Sequence, residues 1–275
     1  MYYIQSKQNR PSDTVVHSAS YLKLRTHDFM SPLFKRFFLA LMIASTSVHA
    51  QNPSPGKQVE QSLKLASGQT IPYLLYLPQK FGEVATHKWP VILFLHGRGE
   101  SRGPLSIVAK WGPPRMAARG DDLPYIIISP QCPNEQRWTS PKQVTGVLDL
   151  LAHISKNFSV DKQRIYLTGL SMGGYGSWNL AAKHGELFAA VAPICGAGNP
   201  NDAEKLKEIP IWAFHGTEDK AVPYKHSVEM VEAIQKVGGN KIRFTTLHHI
   251  GHNSWSAAYA TPELFDWFNK YQRRP

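Results

Sequence analysis

Cysteine is scarce: Cys132 and Cys195 are the only two in a chain of 275 residues, too few to staple a small disulfide scaffold. Whether they pair stays open, since a bridge needs Cα atoms within about 7 Å and two buried thiols fit the composition equally well. No apolar run reaches the roughly 20 residues that cross a bilayer, so no stable membrane insertion is expected. Lysine and arginine exceed aspartate and glutamate by 31 to 20. They are scattered, without an arginine-rich run, which describes a solvated basic surface and argues against a nucleic-acid partner. No H-E-x-x-H spacing lays out a zinc site, and neither metal nor cofactor is expected. Beyond a Pro/Gly/Ser-rich entry at 51–57, the chain has no linker and no internal repeat.

The first fifty residues read differently from the rest. In MSPLFKRFFLALMIASTSVHA, residues 30–50, Lys35 and Arg36 make a basic start, FFLALMIAS an apolar middle, and Val48-His49-Ala50 a small-residue end. This is the pattern of a secretory signal peptide cleaved after Ala50. Residues 1–29 carry no apolar period, and the expectation is that they lie upstream of the true start at Met30. With no cysteine at the cleavage point to take a lipid, the product is expected to be secreted or periplasmic. The remainder, 51–275, suits one sizeable core and is short for two. Oligomeric state is not legible.

Strand-like runs fall at 73–77, 91–95, 125–129, 164–168, 188–193, 211–214 and 242–247. Helical spacing appears between and after them, in Val144, Val147, Leu148, Leu151 and Ile154, in Val228, Val231, Ile234 and Val237, and in Leu264, Trp267, Phe268 and Tyr271. VILFL and YIIIS are apolar on both faces, as in strands at the centre of a parallel sheet covered on each side. The expected fold class is α/β: a single domain with a mostly parallel central sheet and helices on both faces. The stretch 194–208 is too short for a large cap domain, so the site should be open.

Gly169-Leu170-Ser171-Met172-Gly173 fits G-x-S-x-G, preceded by the strand RIYLT and followed by helical GGYGSWNLAAKH. That context defines an elbow in which a strained serine projects above the strand ends and flanking glycines let strand and helix approach. A serine hydroxyl is a weak nucleophile unless a histidine takes its proton and an acid orients that histidine. Asp219, in the loop AFHGTEDKAVP, is preferred to adjacent Glu218. His252, in HHIGHNSW, lies further beyond its strand than His248 and His249 and can reach across the strand ends. His215, just before Gly216, is read as bracing its loop. Acyl transfer also needs donors for the oxyanion: the Met172 amide, and one from His96-Gly97-Arg98-Gly99-Glu100, with Arg98 the choice.

In this order and spacing, LFLHGRGE, WGPPRMAARG, IISPQCP with Trp138, LTGLSMGG, HGTEDKAVP and GHNSW resemble the α/β-hydrolase carboxylesterases. The likeness is to the secreted predicted-peptidase or phospholipase/carboxylesterase-like group, similar to polyhydroxybutyrate-depolymerase-like and feruloyl-esterase-like enzymes, and covers roughly residues 60–272. It implies Ser171 as nucleophile, Asp219 as orienting acid, His252 as general base, and the Arg98 and Met172 amides as oxyanion hole. Trp138 and Trp255 match positions near the site, where rings could stack on substrate. The first HG is followed by RGES, without the glycine run of HGGG lipases. The implied activity is a secreted serine carboxylesterase acting on a small-molecule ester or an ester-decorated polysaccharide. A prolyl-oligopeptidase-like peptidase and an inactive carbohydrate-binding scaffold are the alternatives.

Overall fold

The computed structural model describes residues 52–273. The expected upstream segment 1–29 and the expected signal peptide 30–50 lie outside the described residues. Eight strands form one sheet in the order β1-β2-β4-β3-β5-β6-β7-β8: β1 Gln58–Lys64, β2 Thr70–Tyr76, β3 Trp89–Leu95, β4 Ile126–Pro130, β5 Val160–Leu170, β6 Ala190–Ile194, β7 Ile211–Gly216 and β8 Ile242–Leu247. β1 and β2 pair antiparallel, as do β2 and β4, and every later pairing is parallel. β1 escapes a sequence reading because QVEQSLK buries little but Val59, as an edge strand can.

The helices are α1 Gly112–Ala118, α2 Pro141–Asn157, α3 Met172–His184, α4 Ala203–Leu206, α5 Lys225–Lys236, α6 Ser254–Tyr259 and α7 Glu263–Asn269. Alternation along the strands sorts the core into two layers. Val91, Leu93 and Leu95 of β3 pack with Val147 and Ile154 of α2, Trp178 of α3 and Met230 of α5. Ile92 and Phe94 face the other way, into Ala117 of α1, Ala258 of α6 and Leu264 and Phe268 of α7. A strand buried on both faces must be apolar at consecutive positions, which is why VILFL reads as it does. Only the short α4 and its flanking turns fill the connection from β6 to β7, so among the described residues no cap domain is inserted there.

Register brings the functional loops to one level. Leu95 pairs with Gly169, Leu170 with Ile194, Ile194 with Phe214, and Gly216 with Leu247. The loops leaving β3, β5, β6, β7 and β8 therefore start side by side. β3 leads outward to β4 whereas β5 returns past it, so the strand order reverses beside these two strands. Ligands of open α/β sheets bind in the crevice at such a reversal, beyond the carboxyl ends of the strands.

Candidate active site

Ser171 sits directly after β5 with φ 52° and ψ −115°, a conformation that costs an L-residue roughly 1–3 kcal/mol. It is held from both sides: its N–H donates to the Ile194 carbonyl at 2.9 Å, and its own carbonyl accepts from the Tyr175 N–H at 3.0 Å. The flanking glycines answer to close approach. A Cβ on Gly173 would lie 1.9 Å from the Leu95 carbonyl oxygen, and one on Gly169 would lie 2.5 Å from that of Gly173. Backbone crowds both positions, so no side chain fits without moving strand or helix.

The His252 ring bridges the serine and a carboxylate. Its Nε2 lies 2.9 Å from Ser171 Oγ, and its Nδ1 lies 2.7 Å from Asp219 Oδ2. With Nδ1–H donating to the carboxylate, Nε2 is left as the acceptor for the serine hydroxyl. Asp219 has no side-chain exposure. Burial raises its pKa, but His252 and the amides of Val222 and Ala221 all donate to it, the latter two to Oδ1 at 2.9 Å, and the net shift is downward. Glu218 instead turns outward to His249 at 3.1 Å. Ser254 ties the histidine loop to β7 by accepting the Gly216 N–H at 3.0 Å.

His215 is buried, with Nδ1 2.7 Å from Ser227 Oγ and Nε2 2.9 Å from the Val222 carbonyl. A neutral ring satisfies both by accepting from the serine and donating to the carbonyl, and desolvation by burial leads its pKa downward. It steadies the loop that carries Asp219, with its own Nε2 3.2 Å from Asp219 Oδ2.

The two amides assigned to the oxyanion each open a helical turn. Arg98 begins a 3₁₀ turn, Arg98–Ser101, and Met172 begins α3. First-turn N–H groups have no intrahelical acceptor and carry the positive end of the helix dipole. The loop holding Arg98 is built on a residue that motif reading passed over, His96. Its Nδ1 donates to the Gly97 carbonyl at 2.5 Å, its Nε2 accepts the Cys132 N–H at 2.9 Å, and its carbonyl accepts the Trp138 indole N–H at 2.9 Å. Burial holds its pKa down, to about 4, so at neutral pH the ring is an uncharged strut.

Beside the serine a cavity of about 380 Å³ is bordered by Arg98, Arg137, Trp138, Tyr175, Val222 and His252. The two tryptophans fall differently. Trp138 borders it but is 1% exposed, with its indole N–H engaged by His96, so its contacts are those of a loop anchor. Trp255 stands perpendicular to His252, with ring centres 5.2 Å apart, and borders a separate cavity of about 180 Å³ with Trp111 and Arg115. Arg137 and Tyr175 carried no sequence signal: one lies in a polar loop, the other is a helical tyrosine beside the elbow. Both cysteines are free and buried. Cys195 lies beneath the site, its sulfur within 4.8 Å of donor atoms of Asp219 and His252. Burial pushes its thiol up to about 12, so it is protonated at neutral pH and poorly suited to ligate a metal.

An eight-stranded, mostly parallel sheet with a serine, a histidine and an aspartate aligned above its carboxyl ends defines an α/β-hydrolase. Residues 125–267 match the family described as "Putative esterase", and the chain belongs to that family of carboxylic ester hydrolases. Among curated relatives, the "Probable feruloyl esterase C" of Aspergillus niger is 26% identical over 231 residues, spanning 81% of this chain and 82% of the relative. The "Bifunctional acetylxylan esterase/xylanase XynS20E" of Neocallimastix patriciarum is 24% identical over 139 residues, and that match spans 50% of this chain but 20% of the relative. A solved thermostable esterase superposes with TM-score 0.67 at 31% identity, covering 79% of this chain and 64% of that one.

Proposed function

We propose that this esterase is a serine carboxylesterase working through an acyl-enzyme on Ser171, with His252 as general base and acid and Asp219 as its orienting partner. The carrying observation is the unbroken run from Ser171 Oγ to His252 Nε2 at 2.9 Å and from His252 Nδ1 to Asp219 at 2.7 Å, on a serine already held in the strained elbow conformation.

In this reading Ser171 Oγ bonds to the ester carbonyl carbon as its proton passes to His252 Nε2. The carbonyl oxygen takes up negative charge opposite the Arg98 and Met172 amides. Collapse breaks the bond to the alcohol oxygen, which leaves with the proton from His252. Water then repeats the sequence on the acyl-serine and releases the acid. Asp219 holds the imidazole in the tautomer that can accept at Nε2 and stabilises the imidazolium once formed.

The feruloyl and acetylxylan esterase relatives support ester-decorated polysaccharide as a substrate alongside small esters, and the uncapped strand ends leave room for a bulky alcohol. The pattern at residues 30–50 supports export. Among the described residues no helix is long and apolar enough to cross a membrane.

The test is hydrolysis of 4-nitrophenyl acetate and butyrate, with labelling by a fluorophosphonate probe. Ser171→Ala should lose about 10⁶-fold in kcat and all labelling. An unchanged rate in that variant would remove the proposal, and absence of labelling in folded wild-type protein would favour an inactive scaffold. The residues present at the N-terminus of secreted material, read by intact mass, would test export and cleavage after Ala50.

A further inference from the structure

The cleft beside Ser171 is bordered by Arg98 and Arg137 and by no carboxylate. Among the described residues neither guanidinium forms an ion pair. Arg98 donates from Nη1 to the Gln136 carbonyl at 3.1 Å and, more weakly, to Met172 Sδ at 4.0 Å, leaving its other donors unused, and the Arg137 side chain has no hydrogen-bond partner among the described residues. Of the other described arginines, Arg102 donates to Asn134 Oδ1 at 2.9 Å and Arg273 forms no ion pair, while four are engaged by a charge or a ring. Arg119 pairs with Asp121 and Arg164 with Asp161, while Arg115 and Arg243 lie over the rings of Trp111 and Trp212.

Further along this cleft lie more donors without partners. Burial and then the nearby Asp219 carboxylate move the Tyr175 pKa up, against a smaller downward pull from Arg137. The hydroxyl therefore stays protonated as a donor. Beyond Tyr175 and Thr139 a second cavity of about 220 Å³ adjoins the first; it is bordered by Asp202, whose carboxylate pairs with Lys205 at 2.7 Å, and by Trp178 and Asn179. Their buried Nε1 and Nδ2 atoms lack acceptors. Buried donors without acceptors are uncommon in folded proteins and call for an explanation. Two cations at one mouth repel each other and favour an arriving anion, and the planar guanidinium fork matches a carboxylate.

We propose that this cleft selects esters whose acid or alcohol part carries a second, free carboxylate, held by Arg98 and Arg137 while Ser171 meets the ester carbonyl. The inference rests on the esterase reading above and deepens it by naming a substrate class. An ester on a uronate-bearing polysaccharide is one alcohol-side member, and the monoester of a dicarboxylic acid is the acyl-side member.

Two matched pairs test it and separate the sides. 4-Nitrophenyl hemiglutarate against 4-nitrophenyl butyrate places the charge on the acyl group, and 4-acetoxybenzoate against its methyl ester places it on the alcohol. In at least one pair the wild-type enzyme should favour the anionic member by about 10-fold in kcat/KM. Arg98→Gln with Arg137→Gln should erase that ratio, mainly through KM, and about 0.5 M salt should narrow it. Lys236→Gln, the same charge change on the exposed face of α5, should leave the ratio unchanged. A wild-type ratio near one in both pairs, or a preference that survives the double substitution, would overturn the proposal. In either case continued turnover of the neutral esters and fluorophosphonate labelling would leave the esterase reading standing. Loss of labelling and of all turnover in wild-type protein would instead remove that reading, and this inference with it.

Discussion

The two ends of the sheet differ in a way that volume alone misreports. At the amino ends of β6, β7 and β8 lies a concavity of about 920 Å³, more than twice that of the cleft beside Ser171. Its charges are mostly partnered or exposed: Lys205 meets Asp202 at 2.7 Å and Lys241 meets Glu208 at 3.1 Å, with half-buried Arg273 outside any ion pair among the described residues. At the carboxyl ends, Ser171, Cys195 and His249, the non-glycine residues with positive φ among those described, follow β5, β6 and β8. There too lie buried His96, His215, Asp219, Ser227 and Ser254. Strained backbone persists only where its surroundings over-determine it. The strands supply that constraint, packed on both faces and in register, so strain and buried polar hydrogen bonds mark the working end where cavity size does not.

The sharpest way to break this contrast is to disturb the working end by single atoms. Asp219→Asn keeps the shape but allows the wrong histidine tautomer, and kcat should fall by about 10⁴-fold with little change in KM. Steady-state kinetics on 4-nitrophenyl butyrate check it, and a fall under tenfold would mean that Asp219 does not orient His252. Next, Gly173→Ala would force a Cβ against the Leu95 carbonyl at 1.9 Å. It should cost at least about 3 kcal/mol and displace the elbow, read as a lowered denaturant midpoint together with lost activity.

His96 gives the comparison a pH axis. Its folded pKa lies at about 4 against an ordinary value of 6.5. The unfolded chain therefore binds the proton first, and stability rises with pH between those values. This contribution is fully present above about pH 6.5 and is lost as pH falls toward 4, by about 3 kcal/mol in all. Urea midpoints at pH 7 and 4.5 should separate more for the wild type than for His96→Gln, and equal separations would show that the ring is not buried neutral.

These residues also show where sequence legibility stops. The central strands are legible because burial on two faces leaves no polar position to hide them, and the elbow because backbone crowding forbids side chains at Gly169 and Gly173. Ser171, Asp219 and His252 are legible because proton transfer restricts the residue types and the fold restricts their order. The bracing of the oxyanion loop is not legible. His96 meets Cys132 and Trp138 across 36 and 42 positions of chain, and nothing local to any of the three announces the meeting. Trp138 accordingly reads from the sequence as a ring near substrate, whereas the structure gives its indole to the His96 carbonyl. Trp138→Phe should cost about 1–3 kcal/mol and lower kcat more than it raises KM, since the displaced loop carries the Arg98 amide proposed to receive the oxyanion.

The smallest effect is the most informative about the other end. Lys183, exposed on the last turn of α3, borders the larger concavity and forms no ion pair among the described residues. Lys183→Ala removes charge and length there without opening the core, so stability should stay within about 0.5 kcal/mol. kcat/KM on 4-nitrophenyl butyrate should hold within about twofold, because a surface charge the length of α3 away from Ser171 acts through water and salt that screen it beyond about 10 Å. A tenfold loss in kcat/KM at unchanged stability would mean that the amino end of the sheet communicates with the elbow through α3, and the division between a supporting end and a working end would have to be abandoned.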